Sequence, residues 1–244
     1  MGLPRFIANN ILVGATCAQA TSQYPAANLF DGRVGKPFLA NAVTISITLT
    51  VTGGFNVDAI CIARHNLTVS PVLTPAAGSP ITLTLNTAED SYGAIFEASA
   101  ATSWTLVVTG NAANVQIGEI FMGATGSFGA YGGFDFGTSG IGVEYKNDLH
   151  RDIYDSVAGA YKLSDSRYIR MFFGRHDEAA RALLRYLWRN CDGDLRPFAF
   201  VLDDTNTGWG IYRLPPTYDA MFADYGHFST MMILREDTAG APLS

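Results

Sequence analysis

Between positions 43 and 51 the chain reads Val-Thr-Ile-Ser-Ile-Thr-Leu-Thr-Val, with apolar and hydroxylated residues alternating without a break. A β-strand sends successive side chains to opposite faces. A period of two therefore sets Val43, Ile45, Ile47, Leu49 and Val51 on a core and leaves the hydroxyls to solvent. Shorter apolar runs follow at Ala59–Ala63, Ile81–Leu85, Ala94–Glu97, Trp104–Val108 and Val115–Phe121, separated by Gly, Pro, Asn and Ser. Many short strands at such spacing predict an antiparallel sandwich or jelly roll, wetted on its outer side.

The pattern then breaks. Residues 123–142 are dense in glycine, whose backbone loses the most entropy on ordering, so a regular element is disfavoured there. This segment is the expected junction between two domains, residues 1–122 and 143–244. Its aromatics, Phe128, Tyr131, Phe134 and Phe136, leave two readings open: anchors on a neighbouring surface, or a loop packed on its own chain. Basic residues concentrate beyond it, with 12 of the 16 lying after Tyr131.

The second half holds one strong helix signal. From Asp177 to Arg189, the residues Ala180, Leu183, Leu184, Leu187 and Trp188 recur at the spacing of a buried helical stripe. Acidic residues open the segment and Arg189 closes it, as the helix dipole prefers, and Asn190-Cys191-Asp192-Gly193 supplies stop signals. Strands are expected at Arg167–Phe173, Phe198–Leu202, Gly208–Arg213 and Phe228–Leu234. The fold class is thus mainly β: an N-terminal β-sandwich, then an α+β domain with one helix packed on a sheet.

Composition narrows the function. Hydrophobic residues make up 48% and charged residues 16%, unlike a disordered chain and suited to an assembly that hides surface. A net charge of −6 with no basic run argues against a nucleic-acid binder, whose affinity comes from neutralising phosphates. Cys17, Cys61 and Cys191 have no metal spacing, and an odd, scattered set predicts reduced, buried thiols. No apolar run is long enough to span a bilayer, and the first residues lack the apolar region of a signal peptide, which predicts folding in the cytoplasm.

Chemistry-bearing patterns are sparse. His65, His150, His176 and His227 fall in no metal-ligand motif, and His65-Asn66 reads as a turn that bonds backbone groups. Asp203-Asp204 and Asp192-Gly193-Asp194 are explained by turns, since the rest of a calcium loop is missing. No nucleophile elbow or phosphate loop is present. The expectation is a non-enzyme with no catalytic residue, no cofactor and no metal. Arg181, Arg185 and Arg189 recur every four residues, so they form a row on one helical face. That row is either a solvated face or a contact with acidic groups of a neighbouring subunit.

Two resemblances add to this. Tyr24-Pro-Ala-Ala-Asn-Leu-Phe-Asp-Gly32 and the later Val57–Leu67 resemble the discoidin, galactose-binding-like family over about the first 120 residues. That likeness implies a β-sandwich with the Asp-Gly turn as a structural corner. The helix at Asp177–Arg189, then Arg196-Pro-Phe-Ala-Phe-Val-Leu-Asp203, the Trp209 hairpin and a closing amphipathic strand resemble the tail-tube-derived domain of siphophage tail-tip proteins. This second likeness implies a structural, distal-tail or baseplate ring protein of the virion, made in the host cytoplasm. Its partners would be further copies, as a trimer or hexamer, together with tail-tube and hub proteins. The interface candidates are Phe128, Tyr131, Phe134, Phe136, Arg181, Arg185 and Arg189. The rival expectation is a carbohydrate-binding adhesin touching host-surface glycan, for which Trp104 is the only tryptophan in the first half.

Overall fold

A computed structural model describes residues 4–13, 16–18, 22–32, 36–85, 91–127, 140–151, 157–192, 195–201, 209–215, 221–224 and 227–236. In chain order the elements are β1 (Arg5–Ile7), β2 (Thr16–Ala18), β3 (Ser22–Tyr24), a short 3₁₀ turn (Ala26–Phe30), β4 (Phe38–Ala40), β5 (Ile45–His65), β6 (Val72–Pro75), β7 (Ile81–Thr82), β8 (Ser91–Val108), β9 (Gln116–Gly123), β10 (Gly126–Ser127), β11 (Gly140–Arg151), β12 (Val157–His176), α1 (Glu178–Asn190), β13 (Phe198–Val201), β14 (Gly210–Arg213), β15 (Met221–Asp224) and β16 (His227–Glu236). They form two antiparallel eight-stranded sheets. One runs β3-β4-β9-β5-β8-β6-β7 with β2 against β5, and the other β10-β1-β13-β14-β16-β12-β11 with β15 against β16.

In the first sheet the alternation does what its period demands. Ile45, Ile47, Leu49 and Val51 share a core with Trp104, Leu106 and Val108. Two expectations need correction. The runs at 43–51 and 59–63 are parts of one strand, β5, and those at 94–97 and 104–108 are parts of β8. The β5–β8 register shifts between Thr50 and Phe55 and again between Val57 and Ala59, so the pair bends instead of ending. Gly53, at φ 99°, supplies a backbone conformation that a side chain would strain. Val43 is not in the core but 43% exposed. Residues 41–44 form a bend, in which the Val43 carbonyl accepts the Asn111 N–H at 2.9 Å, and the strand begins only at Ile45.

The second sheet carries the helix. Asp177 caps it, its carboxylate accepting the Ala180 N–H at 2.9 Å. Ala180, Leu184 and Leu187 are buried and Leu183 and Trp188 half-buried, as the stripe predicted. This face packs on Phe198, Phe200, Tyr212, Met171, Met232 and Leu234. β13 is buried on both faces. Phe198 and Phe200 point to the helix side, Ala199 and Val201 to the opposite side.

That opposite side meets the sandwich. Ile7, Ala199, Val201, Trp209 and Ile211 share one apolar core with Ala59, Cys61, Ala63 and Phe121. The contact is made possible by small residues on β5 and β8. A Cβ added at Gly93 would lie 2.6 Å from Trp209 Cδ2 and 2.7 Å from the Ile60 carbonyl oxygen. The two sheets are therefore joined by a dry contact. β1 pairs with β13, and β10 with β1, so residues 5–7 at the start of the chain belong to the second sheet although they precede the sandwich strands. Beyond the sandwich's reach the same face continues onto β16, where Met231 is 61% and Ile233 36% exposed.

Candidate functional site

Between the sandwich and the second sheet runs a groove floored by the chain segment that joins β1 to the first sheet. It consists of two adjoining cavities of about 320 and 820 Å³ that share Ala8, Asn9, Ile11 and Phe55. The larger lies within the size range of small-molecule sites. One end is flanked by Leu183 and Tyr186 of α1, the other by Phe30, Asp31 and Glu119 on the sandwich wall and Arg196 and Arg213 on the opposite wall. Val13, Phe55, Tyr186 and Leu195, half of the large apolar side chains exposed among the described residues, line this one groove. Phe55 is 40% and Tyr186 53% exposed. Asn9 lines both cavities, Asn56 the smaller and Asn190 the larger.

Local structure explains each position. Phe55 resumes the β5–β8 pairing, opposite Ala101, directly after the β5 irregularity, and its ring is exposed. Tyr186 lies on the helical face away from Leu184 and Leu187. The Asp31-Gly32 corner follows the 3₁₀ turn, and Gly32 at φ 74° donates its N–H to Glu119 Oε1 at 3.3 Å. Glu119 is 1% exposed, so this bond anchors the corner to β9. The Asp-Gly turn is thus a structural corner, as the family likeness implied. The floor is fixed by Asn10. Its amide donates to the Ile120 carbonyl at 2.8 Å, and its Oδ1 accepts the N–H groups of Leu12 and Met122 at 3.2 and 3.1 Å.

On the basic wall Arg196 Nε pairs with Asp192 at 2.8 Å, and Arg213 donates to the Leu195 carbonyl at 2.6 Å. Both guanidinium groups are thereby held at the rim. Next to them Cys191 is a buried thiol. Burial, with a contribution from Asp192 and against one from Arg196, pushes its pKa up to about 12. A thiol so raised is a poor nucleophile at neutral pH. Cys61 is buried as well, while the side chain of Cys17 lies outside the described residues.

Asp31, Gly32, Arg196 and Pro197 line the groove, whereas none of the interface candidates among the described residues does. Phe128, Tyr131, Phe134 and Phe136 lie outside the described residues. Arg185 and Arg189 are exposed on α1, and Arg181 pairs with Glu178 at 2.8 Å. His65 closes β5 and accepts the Leu67 N–H at 3.1 Å, and Asn66 accepts the Gln116 N–H at 2.8 Å, which is the turn the sequence suggested. Trp104 is fully buried and unavailable for stacking on a ligand. Asp194, Asp203 and Asp204 are outside the described residues, among which no group of three His, Cys, Asp or Glu side chains could hold a metal ion. Nor, among the same residues, is any helix long and apolar enough to cross a membrane.

No family model and no curated protein matches the chain. Solved structures similar to it are carbohydrate-binding, galactose-binding-like β-sandwich modules. The module CpGH89CBM32-4 of Clostridium perfringens superposes with a TM-score of 0.41 at 19% identity, covering 48% of this chain and 99% of that one. CpGH89CBM32-5, from the same organism and solved with GalNAc-β-1,3-galactose, gives a TM-score of 0.40 at 12% identity, covering 47% and 98%. The family 32 module of Clostridium perfringens NanJ, solved with galactose, gives 0.40 at 13%, covering 51% and 100%.

Proposed function

We propose that the chain is a non-catalytic carbohydrate-binding component whose ligand groove lies between its two sheets. One observation carries this reading: half of the large apolar side chains exposed among the described residues gather along one groove beside amides, two arginines and two carboxylates. Sugars present apolar C–H faces and a dense ring of hydroxyls that both donate and accept. A site for them needs aromatic faces for the former and a mixed set of donors and acceptors for the latter. Phe55 and Tyr186 supply the faces, Asn9, Asn56, Arg196 and Arg213 the donors, and Asp31 the acceptor.

The test is a glycan array followed by titration calorimetry with the strongest ligand found. Tyr186→Ala and Phe55→Ala each remove an exposed ring and should leave the fold intact. Each is expected to weaken binding roughly tenfold. An array without hits, or full affinity in both variants, would remove the reading.

A second reading, the ring subunit of a siphophage tail tip within the virion, is favoured by a different feature. β12 pairs with β16 only from Tyr168 to His176, yet continues with β11 back to Val157. Among the described residues this part of the hairpin has no third strand beside it. A lone two-stranded ribbon is marginal in water and gains from a neighbour, as in an assembly. On this reading the tail-tube and hub proteins are the neighbours and the sandwich faces outward.

A further inference from the structure

The second sheet ends on β11, a strand of 12 residues, Gly140–Arg151, whose outer side no described strand pairs with. Most natural sheet edges are short, carry charged side chains or proline, or are interrupted by a bulge, because a long regular edge offers a row of unmade backbone hydrogen bonds to another strand. β11 has no proline. Both irregularities of the hairpin fall on its partner. Lys146 pairs with Ser164 and Asn147 with Lys162, and His150 pairs with Gly159 and Arg151 with Val157. The extra residues, Leu163 and Ala158, are on β12, so β11 keeps an unbroken pleat along the open side.

We propose that this edge is the docking site for a second copy of the chain, paired antiparallel about a two-fold axis at Tyr145. The inference is independent of the saccharide reading. An antiparallel pairing of two identical strands closes on itself, so each contact is made twice. With Tyr145 opposite Tyr145, the sequence Gly-Ile-Gly-Val-Glu-Tyr-Lys-Asn-Asp-Leu-His-Arg sets Glu144 opposite Lys146 and Ile141 opposite Leu149, each twice. Opposite charges and apolar pairs at facing positions stabilise a ladder. Sliding the axis one residue toward the N-terminus faces Glu144 with Glu144. Sliding it one residue the other way faces Lys146 with Lys146 and Glu144 with Asp148. Like charges at facing positions oppose pairing, so the charge pattern disfavours both of these neighbouring registers. The two sheets would then run on as one.

Light scattering on the full chain across a concentration series tests this. The wild type is expected to form a dimer. Lys146→Glu places like charges opposite each other at two positions and should weaken the dimer roughly tenfold. The double variant Glu144→Lys with Lys146→Glu restores opposite charges only in the proposed register, and should recover dimerisation. A monomer at every concentration would overturn the proposal, as would a double variant no better than Lys146→Glu while circular dichroism shows both folded. A trimer or hexamer would also overturn it and would favour the ring reading.

Discussion

Replacing Trp209 by alanine lowers the unfolding free energy by about 3–5 kcal/mol, the range for truncating a large buried aromatic. Trp209 is fully buried and sits where the two sheets meet, against the bare backbone at Gly93. A cavity there would open between two sheets whose other contact residues include the small Ala59, Cys61, Ala63 and Ala199. Among the described residues the indole N–H has no hydrogen-bond partner, so its removal returns a small part of the loss. Trp209→Phe should therefore cost clearly less than Trp209→Ala. Because the contact joins two sheets with separate cores, the alanine variant is also expected to unfold in two steps in urea. A loss below about 1 kcal/mol with one sharp transition would mean that the sandwich and the second sheet do not depend on this contact.

The second large effect is at Asn10. Three buried backbone groups, the Ile120 carbonyl and the Leu12 and Met122 N–H groups, depend on its one side chain. Asn10→Ala leaves all three without that partner. Each orphaned group costs about 1–3 kcal/mol unless water reaches it, so a loss of about 3–5 kcal/mol is expected. Asn10→Asp keeps the acceptor but turns a second oxygen toward the Ile120 carbonyl, and should be destabilising too. The urea midpoint of both variants, with an unchanged slope, is the measurement that checks this. Since Asn10 also fixes the groove floor, the alanine variant is predicted to lose ligand affinity along with stability.

Much of the fold was legible in local patterns. The period of two in Ile45–Val51 and the helical stripe from Ala180 to Trp188 each describe burial on a single face, which a single segment can encode. Ala59–Cys61–Ala63 was legible only as a strand. That its second face is also buried depends on Gly93 and Trp209, which are distant in sequence and carry no pattern that links them to β5. Val43 shows the opposite failure: the alternation continues outward past the strand's end, where a bend takes over. The short β1 offers too few residues for a periodicity, so its pairing with β13 could not be read.

The groove was not legible as a site. Its walls come from residues 6, 8–11, 13, 30–32, 55–56, 119, 121, 124–126, 183, 186, 190, 195–197 and 213, of which 30–32, 183, 186 and 196–197 lie in segments that the sequence singled out. The one available signal was weak: Phe55 beside Gly53-Gly54, an aromatic placed where a strand is interrupted. The sequence drew attention instead to the Arg181, Arg185 and Arg189 row, which the structure sets on the outer side of the helix with Arg181 held by Glu178.

The most direct test of the saccharide groove is amide chemical-shift mapping of the full chain with the strongest glycan from the array. The account predicts that the perturbed amides cluster at residues 8–11, 55–56, 186 and 195–196, on both sheets at once. Perturbations confined to the sandwich loops around Asn66 and Asn111, with the groove amides unmoved, would contradict it.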